Sequence, residues 1–438
     1  MLDILTAQAG KPLKGRIAIP GDKSISHRSI IFGSIAEGVT LVKGLLEGED
    51  VQRTVAAFRA MGVEIERQGV GAYRIEGVGL DGLSEANDVL DMGNSGTAMR
   101  LLTGLLASQP FLSILSGDES LRGRPMGRVV TPLKKMGAEI TGRDGGRLAP
   151  LVIQGQELIP IKYSSPVASA QVKTAILLAG LNTAGETSVT EPALSRDHTE
   201  RMLSAFGADI SRDGLMVTID GWPTLTGQKI TVPGDISSAA FPMVAALLVP
   251  DSDVVLEGVG INPTRTGLLD LLLLMGGRIE LLNEREEGGE PVADLRVRHS
   301  VLKGITVPKD VVPRAIDEFP IFFVAATMAE GETLLSGAEE LRVKESDRIG
   351  AMVEGLSSLG AKMEERPDGV KISGLAGALT GGAEVDSHTD HRIAMSLLMA
   401  GLVSQKPVKV ARCGNINTSF PGFADLMVGL GADIKGAV

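Results

Sequence analysis

The chain has 438 residues, of which 43% are hydrophobic and 22% are charged. These values exclude a disordered chain, and the length predicts two or three domains. The formal net charge of −11 argues against a general nucleic-acid-binding protein but allows a local basic pocket. The one cysteine, Cys413, excludes an intrachain disulfide and suits a reducing compartment. No signal-peptide pattern and no membrane-length apolar run is present, so we expect a cytoplasmic protein.

A short pattern recurs six times along the chain: an apolar residue, a glycine, two residues of any type and another apolar residue. Its glycines, spaced 69 to 84 residues apart, are Gly62, Gly137, Gly207, Gly276, Gly360 and Gly431. Amphipathic runs such as Val51–Met61 and Ala351–Leu359 precede them, so each glycine is predicted to end a helix in a left-handed conformation. A strand should follow. Three hairpin turns are predicted, at Asp144-Gly145, Asp213-Gly214 and Asp368-Gly369.

A second, more apolar helix is predicted upstream of each amphipathic one. The six starts are near Ser24, Gly96, Ser169, Ser237, Asp317 and Thr389. Runs such as Ala175–Gly180 carry few charges on any face, which predicts burial. A short strand, for example Thr187–Val189 or Glu332–Leu335, separates the two helices. Each repeat is therefore a strand, a helix, a strand, a helix and a hairpin-like pair of strands.

The repeats fall into two groups of three. Arg16-Ile17-Ala18-Ile19-Pro20-Gly21-Asp22 resembles Lys229-Ile230-Thr231-Val232-Pro233-Gly234-Asp235, and three repeats follow each segment. This predicts one domain at residues 21–233 and a discontinuous second domain at residues 1–20 plus 234–438. The sixth repeat stops at Val438 before its last strand, and we predict that the strand near Arg16–Pro20 supplies it.

Polar clusters occur at the predicted helix starts of the first half. Gly21–Ser29 is predicted to open a buried helix, with Lys23 and Arg28 near its start and Ser24 as a candidate cap. Two cations at the start of an apolar helix favour an anion-binding site over a capped helix with solvated basic residues. The small residues of Gly93–Arg100 would let a ligand approach the backbone, although a glycine loop alone is weak evidence.

Three further segments of the first half carry polar residues. Pro125 is predicted in the first turn of a helix, with Arg124 projecting from its start. Ser169–Lys173 should open the third buried helix. Arg196-Asp197-His198 should precede the helix that ends at Gly207, with His198 as a capping or surface residue.

The second half repeats this arrangement. Asp317-Glu318 precedes an apolar helix, and Thr389–Arg392 opens the last one. Lys344 and Arg348 are four residues apart and should share a helix face, with Glu345 between them as a candidate acid or base. Clusters at equivalent helix starts of both halves predict an interdomain cleft for a ligand with several negative charges, such as phosphate and carboxylate. No His-Glu-x-x-His metal motif and no Rossmann fingerprint is present.

Four motifs together resemble one family over nearly the whole chain. They are Gly-Asp-Lys-Ser-x-Ser-His-Arg from Gly21, Gly-Asn-Ser-Gly-Thr-Ala-Met-Arg from Gly93, Arg-Val-Lys-Glu-Ser-Asp-Arg from Arg342 and Asp-His-Arg from Asp390. The sequence resembles the 5-enolpyruvylshikimate-3-phosphate synthases, a family of enolpyruvyl transferases. The resemblance implies an α/β fold with two similar domains, each an inside-out α/β barrel of three βαβαββ units, and an active site in the interdomain cleft.

The resemblance also implies the reaction. The enolpyruvyl (carboxyvinyl) group of phosphoenolpyruvate passes to the 5-hydroxyl of shikimate 3-phosphate through a tetrahedral intermediate, and phosphate leaves. The product leads to chorismate and the aromatic amino acids. The family needs no metal or organic cofactor, and we expect a monomer that binds neither nucleic acid nor membrane.

Site residues follow from the same resemblance. Asp317 is the implied base, Glu345 the acid that protonates the methylene carbon, and Lys344 and Lys23 complete the catalytic set. The implied ligands of shikimate 3-phosphate are Lys23, Ser24, Arg28, Ser169, Ala170, Gln171, Arg196, Asp317 and Lys344. The implied ligands of phosphoenolpyruvate are Lys23, Asn94, Gly96, Arg124, Gln171, Arg348 and Arg392.

The sequence departs from the family pattern at two places. No lysine stands in Asn417–Pro421, where some members have one for phosphoenolpyruvate. Ala170 stands where other members use a serine for the 3-phosphate, and Arg196 is expected to compensate. Gly96 favours inhibition by glyphosate at the phosphoenolpyruvate site, because tolerant members carry alanine there, whereas Ser-Ala-Gln and Thr-Ser-Phe-Pro resemble a tolerant subgroup.

Two alternatives remain at this point. The sister enolpyruvyl transferase that acts on UDP-N-acetylglucosamine usually has a reactive cysteine in a loop of the first half, but the matching segment near Gly117–Pro125 has none. A non-catalytic anion-binding protein on the same fold is the other alternative. The intact Asp317, Lys344 and Glu345 argue against it.

Overall fold

The computed structural model describes residues 3–436, which form two compact units. Unit N comprises Gly21–Val232 and Glu287–Gly289. Unit C comprises the residues up to Pro20, Pro233–Glu286 and the residues from Glu290 onward. Each unit has its own core, composed mainly of aliphatic side chains. None of the helices in residues 3–436 is long and apolar enough to cross a membrane.

Fourteen α-helices occur in the described part of the chain. They are α1 (Lys23–Ile35), α2 (Glu49–Ala60), α3 (Gly96–Leu106), α4 (Glu119–Gly123), α5 (Gly127–Lys135), α6 (Ala170–Leu181), α7 (His198–Phe206), α8 (Ile236–Leu248), α9 (Gly267–Leu274), α10 (Val312–Ala315), α11 (Phe319–Met328), α12 (Arg348–Ser358), α13 (His391–Gly401) and α14 (Phe423–Gly429). Short 3₁₀ helices lie at Asp144–Gly146, Glu339–Val343 and Cys413–Thr418.

The strands are short and numerous. They are β1 (Ile4–Gln8), β2 (Lys14–Ala18), β3 (Glu37–Lys43), β4 (Glu64–Gly69), β5 (Ala72–Val78), β6 (Leu90–Asp91), β7 (Leu112–Ser116), β8 (Glu139–Arg143), β9 (Leu148–Gln154), β10 (Lys162–Ser164), β11 (Glu186–Thr190), β12 (Ile210–Asp213), β13 (Met216–Asp220), β14 (Lys229–Thr231), β15 (Asp253–Gly260), β16 (Arg278–Glu287), β17 (Glu290–Arg298), β18 (Glu332–Leu335), β19 (Lys362–Arg366), β20 (Gly369–Ser373), β21 (Leu379–Gly381), β22 (Glu384–Asp386), β23 (Ser404–Lys406), β24 (Val408–Ala411) and β25 (Asp433–Gly436).

The predicted repeat is present in the structure. All six repeat glycines have positive φ, between 90° and 111°, and a helix ends before each and a strand begins after it. A left-handed residue at this position costs glycine little, because it has no Cβ. The six apolar helices α1, α3, α6, α8, α11 and α13 begin within two residues of their predicted starts and are almost wholly buried.

The predicted turns are confirmed in two cases and shifted in the third. Asp144 and Gly145 both have positive φ between β8 and β9, and Gly214 has φ 58° between β12 and β13. In the third hairpin Arg366 pairs with Gly369, so the loop residues are Pro367 and Asp368. Gly369 is required for a different reason: a Cβ there would lie 2.1 Å from the carbonyl oxygen of Leu335.

Unit N contains three four-stranded sheets of one design. Their strand orders are β14-β3-β5-β4, β6-β7-β9-β8 and β10-β11-β13-β12. In each sheet the first two strands are parallel and the remaining neighbours are antiparallel. The sequence expectation of a strand, a second strand and a hairpin in each repeat is therefore met in this unit.

Two sheets of unit C repeat the design with strands from distant parts of the chain, whereas the third has three strands, all antiparallel to their neighbours. The orders are β2-β15-β17-β16, β18-β20-β19 and β22-β24-β1-β25, with a further pair β21-β23. The predicted completion of the sixth repeat by Arg16–Pro20 is wrong. Instead β1 lies between β24 and β25, antiparallel to both, while β2 lies parallel to β15 in the fourth repeat.

The physical reason is the character of the two strands. The vacant position is the centre of a sheet, and Ala7 of β1 is fully buried there. Lys14, Gly15 and Arg16 of β2 are exposed, which suits the edge of a sheet and not its centre.

Candidate active site

The start of α1 carries the first predicted cluster. Asp22 is the N-cap and its Oδ1 accepts a hydrogen bond from the Ile25 amide at 2.8 Å, so the prediction that Ser24 caps the helix is wrong. An extended residue directly before the first turn is the one that can reach these amides, and Asp22 occupies that position. Lys23 begins the helix and forms an ion pair with Asp50. Ser24 lies in the first turn and is partly exposed.

Arg28 lies deeper along the same helix and is 3% exposed. Its Nε donates to Thr199 Oγ1 at 2.8 Å, its Nη2 donates to Thr174 Oγ1 at 2.9 Å, and its Nη1 donates to the Ser24 carbonyl at 3.0 Å. The guanidinium thus joins the starts of α1, α6 and α7. The pKa of His27 lies well below its ordinary value, mainly because the ring is buried and to a smaller extent because Lys23 and Arg28 are close. The positive charge of this region therefore comes from the lysine and the arginine.

The start of α3 brings Gly96 beside two arginines. Ser95 caps the helix by accepting from the Ala98 amide at 3.1 Å. A Cβ on Gly96 would lie 3.0 Å from Nη1 of Arg100 and 3.2 Å from Nη1 of Arg124. The tight spacing means that any side chain at this position would have to displace both guanidinium groups.

Arg100 was not among the sequence-predicted site residues, yet it contacts one of them. Its Nη1 donates to Gln171 Oε1 at 2.7 Å, and Gln171 Nε2 donates to Thr97 Oγ1 at 2.9 Å. The available signal was spacing, since a residue four positions after Gly96 lies on the same helix face one turn on.

Arg124 reaches this region from a loop. The prediction that Pro125 stands in the first turn of a helix is wrong, because α5 begins at Gly127 and Arg124 follows α4 in an extended conformation. The proline disfavours helical geometry in the residue before it. Arg124 is 7% exposed and its Nη2 donates to Asn94 Oδ1 at 2.5 Å, so these two predicted residues do lie together.

The starts of α6 and α7 contain the remaining predicted residues of unit N. Ser169 caps α6, with Val172 N 3.4 Å from its Oγ, and Ala170 and Gln171 form the first turn. Arg196 is partly buried just before α7. His198 begins α7 and is 2% exposed, so the interpretation of it as a surface residue is wrong. Thr199 and Glu200, which follow it in the first turn, are buried as well, so the start of α7 lies inside unit N.

In unit C, four predicted residues converge on one another. Asp317 Oδ1 lies 3.4 Å from Lys344 Nζ and 3.3 Å from Arg348 Nη1. Glu345 Oε2 lies 2.6 Å from Arg348 Nη2. The prediction that Lys344 and Arg348 share a helix face is wrong, because Asp347 caps α12 and the helix begins only at Arg348. Lys344 therefore precedes the N-cap and lies outside the helix, but both cations still contact Asp317.

Arg348 is the centre of this cluster and is 1% exposed. Its Nε lies 2.8 Å from Oδ2 of the fully buried Asp390. Burial by itself would lower the pKa of Arg348, but Asp390, Glu345 and Asp317 more than offset it and raise that pKa. Burial likewise would raise the pKa of Asp390, yet the attraction of Arg348 brings it below its ordinary value. Both groups are therefore charged at neutral pH.

Arg392 lies beside the same cluster. Asp390 caps α13 by accepting from the Arg392 amide at 2.9 Å. Arg392 Nη1 donates to the Asp317 carbonyl at 2.9 Å and lies 3.5 Å from Glu318 Oε1. Glu318 is 3% exposed and accepts a hydrogen bond from Ser237 Oγ. The side chain of Arg392 is thus held next to Asp317.

The fold and the site can now be compared with known proteins. The fold matches that of the enolpyruvyl transferase NikO from Streptomyces tendae, with a TM-score of 0.78 at 18% identity over 99% of this chain and 98% of that one. The architecture is therefore that of the enolpyruvyl transferases.

Nearer relatives identify the family. The structure of EPSP synthase from Acinetobacter baumannii gives a TM-score of 0.89 at 51% identity, covering 99% of both chains. A 3-phosphoshikimate 1-carboxyvinyltransferase from Magnetococcus marinus is 70% identical over 98% of this chain and 96% of its own length. The model of the EPSP synthase (3-phosphoshikimate 1-carboxyvinyltransferase) family matches residues 7–427. The chain belongs to that family, and the predicted family and type of reaction are confirmed.

Proposed function

We propose that this chain joins phosphoenolpyruvate to the 5-hydroxyl of shikimate 3-phosphate, with Asp317, Lys344 and Glu345 as its proton-transfer groups. The observation that carries these assignments is the convergence of the three side chains with Arg348. A carboxylate within 3.4 Å of a lysine, next to a second carboxylate held by an arginine, provides two acid–base groups in one place.

The proposed reaction is an addition followed by an elimination. In the addition, the oxygen of the 5-hydroxyl bonds to C2 of phosphoenolpyruvate while Asp317 accepts the proton of that hydroxyl. Glu345 gives a proton to the methylene carbon. The tetrahedral adduct then returns a proton from the new methyl group to the Glu345 carboxylate as the bond from C2 to the phosphate oxygen breaks. This restores the double bond and releases phosphate. Lys344 stabilises negative charge on the oxygen that reacts.

Binding of shikimate 3-phosphate is proposed for residues at the starts of three helices of unit N and for two residues of unit C. The proposed ligands are Lys23, Ser24, Arg28, Ser169, Ala170, Gln171, Arg196, Asp317 and Lys344. Support comes from the helix starts themselves, whose amides and positive dipole ends suit a phosphate. Arg28, fixed by Thr174 and Thr199, contributes positive charge to this region.

Binding of phosphoenolpyruvate is proposed for residues of both units, some of which contact each other or a common neighbour. They are Lys23, Asn94, Gly96, Arg124, Gln171, Arg348 and Arg392. In unit N, Arg124 and Asn94 lie together and Arg100 contacts Gln171. Arginine forks bind carboxylates and phosphates in a bidentate manner, which suits a ligand that carries both groups.

A phosphate-release assay tests the function. Purified protein should release phosphate only when phosphoenolpyruvate and shikimate 3-phosphate are both present. Replacing shikimate 3-phosphate with UDP-N-acetylglucosamine should give no release, because the sister enzyme's reactive cysteine has no counterpart near Gly117–Pro125. Release with the UDP-sugar and not with shikimate 3-phosphate would assign the chain to the sister reaction.

The place of action is part of the same proposal. We infer a cytoplasmic monomer that needs no metal or organic cofactor. The single cysteine suits a reducing compartment. Sedimentation equilibrium, together with the assay in the presence of EDTA, tests the oligomeric state and the metal independence.

Gly96→Ala is expected to weaken inhibition by glyphosate by about tenfold or more while raising the KM for phosphoenolpyruvate less. The added methyl group would lie 3.0 Å and 3.2 Å from the tips of Arg100 and Arg124, so both must shift. Glyphosate has one more atom than phosphoenolpyruvate between its phosphorus and its carboxylate carbon, so a shortened site excludes it first. Inhibition and Michaelis constants measure both effects.

The matched control is Gly429→Ala. Gly429 ends α14, and a Cβ there has nothing within 4 Å. This variant should keep wild-type inhibition. Equal losses of inhibitor and substrate affinity in Gly96→Ala would contradict the steric argument.

A further inference from the structure

We propose that Glu191 is a positioning residue that joins the two segments expected to bind the 3-phosphate of shikimate 3-phosphate. The inference rests on the proposed function, which assigns Ser169, Ala170 and Gln171 to one segment and Arg196 to the other. Glu191 follows β11 directly and is 4% exposed, so it lies within unit N and is not itself a surface anion.

Both carboxylate oxygens of Glu191 have a separate hydrogen-bond partner. Oε1 accepts from the backbone amide of Ser169 at 2.8 Å. Oε2 accepts from the hydroxyl of Ser195 at 2.7 Å. Ser169 is the N-cap of α6, and Ser195 directly precedes Arg196. One side chain therefore fixes the spacing between the cap of α6 and the segment that carries Arg196.

A buried lysine forms an ion pair with this carboxylate. Lys173 is 1% exposed, and its Nζ lies 3.0 Å from Glu191 Oε2 and 2.7 Å from Glu200 Oε1. Lys173 and Glu200 belong to α6 and α7, the two helices that follow the segments held by Glu191. A buried carboxylate needs such a partner, because an unpaired charge would be strongly disfavoured inside the protein.

The neighbouring residues Thr174 and Thr199 form a second contact between the same two helices, with Thr174 one residue after Lys173 and Thr199 one residue before Glu200. Their hydroxyl oxygens are 2.6 Å apart, and both accept from Arg28 of α1. The helices α6 and α7 are thus joined without Glu191. Loss of Glu191 should disturb the two segments before the helices more than the helices themselves, which makes its effect local to the phosphate.

Recognition of the phosphate should therefore depend on Glu191 more strongly than recognition of the shikimate ring does. Glu191→Ala should raise the Kd for shikimate 3-phosphate about tenfold or more, because two segments lose the hydrogen-bond acceptor that they share. The Kd for shikimate, which lacks the phosphate, and the KM for phosphoenolpyruvate should change less than about threefold. Glu191→Gln should recover most of the loss. Its amide can still accept from Ser169 and donate to Ser195, and Lys173 remains paired with Glu200.

Titration calorimetry with shikimate 3-phosphate and with shikimate tests the proposal on the full-length protein. Glu186→Gln is the matched control, since Glu186 is an exposed glutamate at the other end of β11. Thermal unfolding verifies that each variant is folded. A phosphate-specific loss in Glu191→Ala, with recovery in Glu191→Gln, is the expected result.

Three outcomes would overturn the inference. Equal losses for shikimate 3-phosphate and shikimate would show that Glu191 supports the whole site and not the phosphate. A Glu191→Gln variant as weak as Glu191→Ala would show that charge acts there and not hydrogen bonding. Unchanged binding of shikimate 3-phosphate by Ser169→Ala would refute the proposed ligand segment, and the inference with it, which separates this failure from the other two.

Discussion

Glu345→Gln is expected to lower kcat roughly 100- to 10,000-fold, the range that one general acid contributes. Glutamine keeps the shape of the side chain and can still accept from Arg348, whose other carboxylate partners Asp390 and Asp317 remain. It cannot give a proton to the methylene carbon. The rate of phosphate release at saturating substrates measures the effect, and the Kd for shikimate 3-phosphate should stay within about threefold of wild type.

The control for this experiment is Glu339→Gln. Glu339 is an exposed glutamate in the preceding 3₁₀ helix, so its variant should turn over at the wild-type rate. A Glu345→Gln variant with wild-type kcat would assign the proton donor to another group. A variant that loses shikimate 3-phosphate binding as well would make Glu345 a ligand instead of an acid.

Arg348→Met is expected to lower the free energy of unfolding by about 3–5 kcal/mol, because it leaves the buried carboxylate of Asp390 without its cation. Asp390 is 0% exposed and Arg348 is 1% exposed, so water cannot replace the lost charge. Methionine fills similar space, which keeps the cavity contribution small. Denaturant unfolding measures the loss. Asp390→Asn in the Arg348→Met background should recover part of it, since the asparagine brings no charge.

The pH dependence gives this prediction a sign. In the wild type, Arg348 holds the pKa of Asp390 below its ordinary value, so the contribution of Asp390 to stability is present at neutral pH and is lost as the pH falls through that lowered pKa. Without Arg348, burial, which is the largest influence on Asp390, and the nearby Glu345 raise its pKa. The stability deficit of Arg348→Met should therefore shrink from pH 8 to pH 5, as the carboxyl takes up a proton.

Arg278→Met provides the comparison, since Arg278 is exposed on β16 of the same unit. Its unfolding free energy should change by about 0.5 kcal/mol or less. A deficit in Arg348→Met that grows toward acidic pH would contradict the assigned charge of Asp390.

Local features of the fold could be predicted from the sequence. A helix that ends in a left-handed glycine needs only neighbouring residues, and all six were found at the predicted positions. The burial of the apolar helices could also be predicted, because a helix with few charges on any face is stable only inside the protein. The family followed from motifs at the starts of these helices.

Features that depend on distant segments could not be predicted. The strand that completes the sixth repeat is β1 and not β2, and only packing distinguishes a central strand from an edge strand. The near-complete burial of Arg348 could not be predicted either. Two of its three carboxylate partners, Asp317 and Asp390, are 31 and 42 residues away in the sequence, and only Glu345 is near. Arg100 was not among the predicted site residues, although it is the last residue of the Gly93–Arg100 motif.

The central position of β1 has a consequence for how the protein is made. β1 leaves the ribosome before every other described strand, whereas β24 and β25, its two partners, are the last described strands to leave it. Residues 21–232 can pack into unit N in the meantime, while the segment before them waits without its neighbours. At about 5–20 residues per second, that wait lasts from roughly twenty seconds to more than a minute. During it, an unpaired strand is open to association with other chains or to capture by a chaperone.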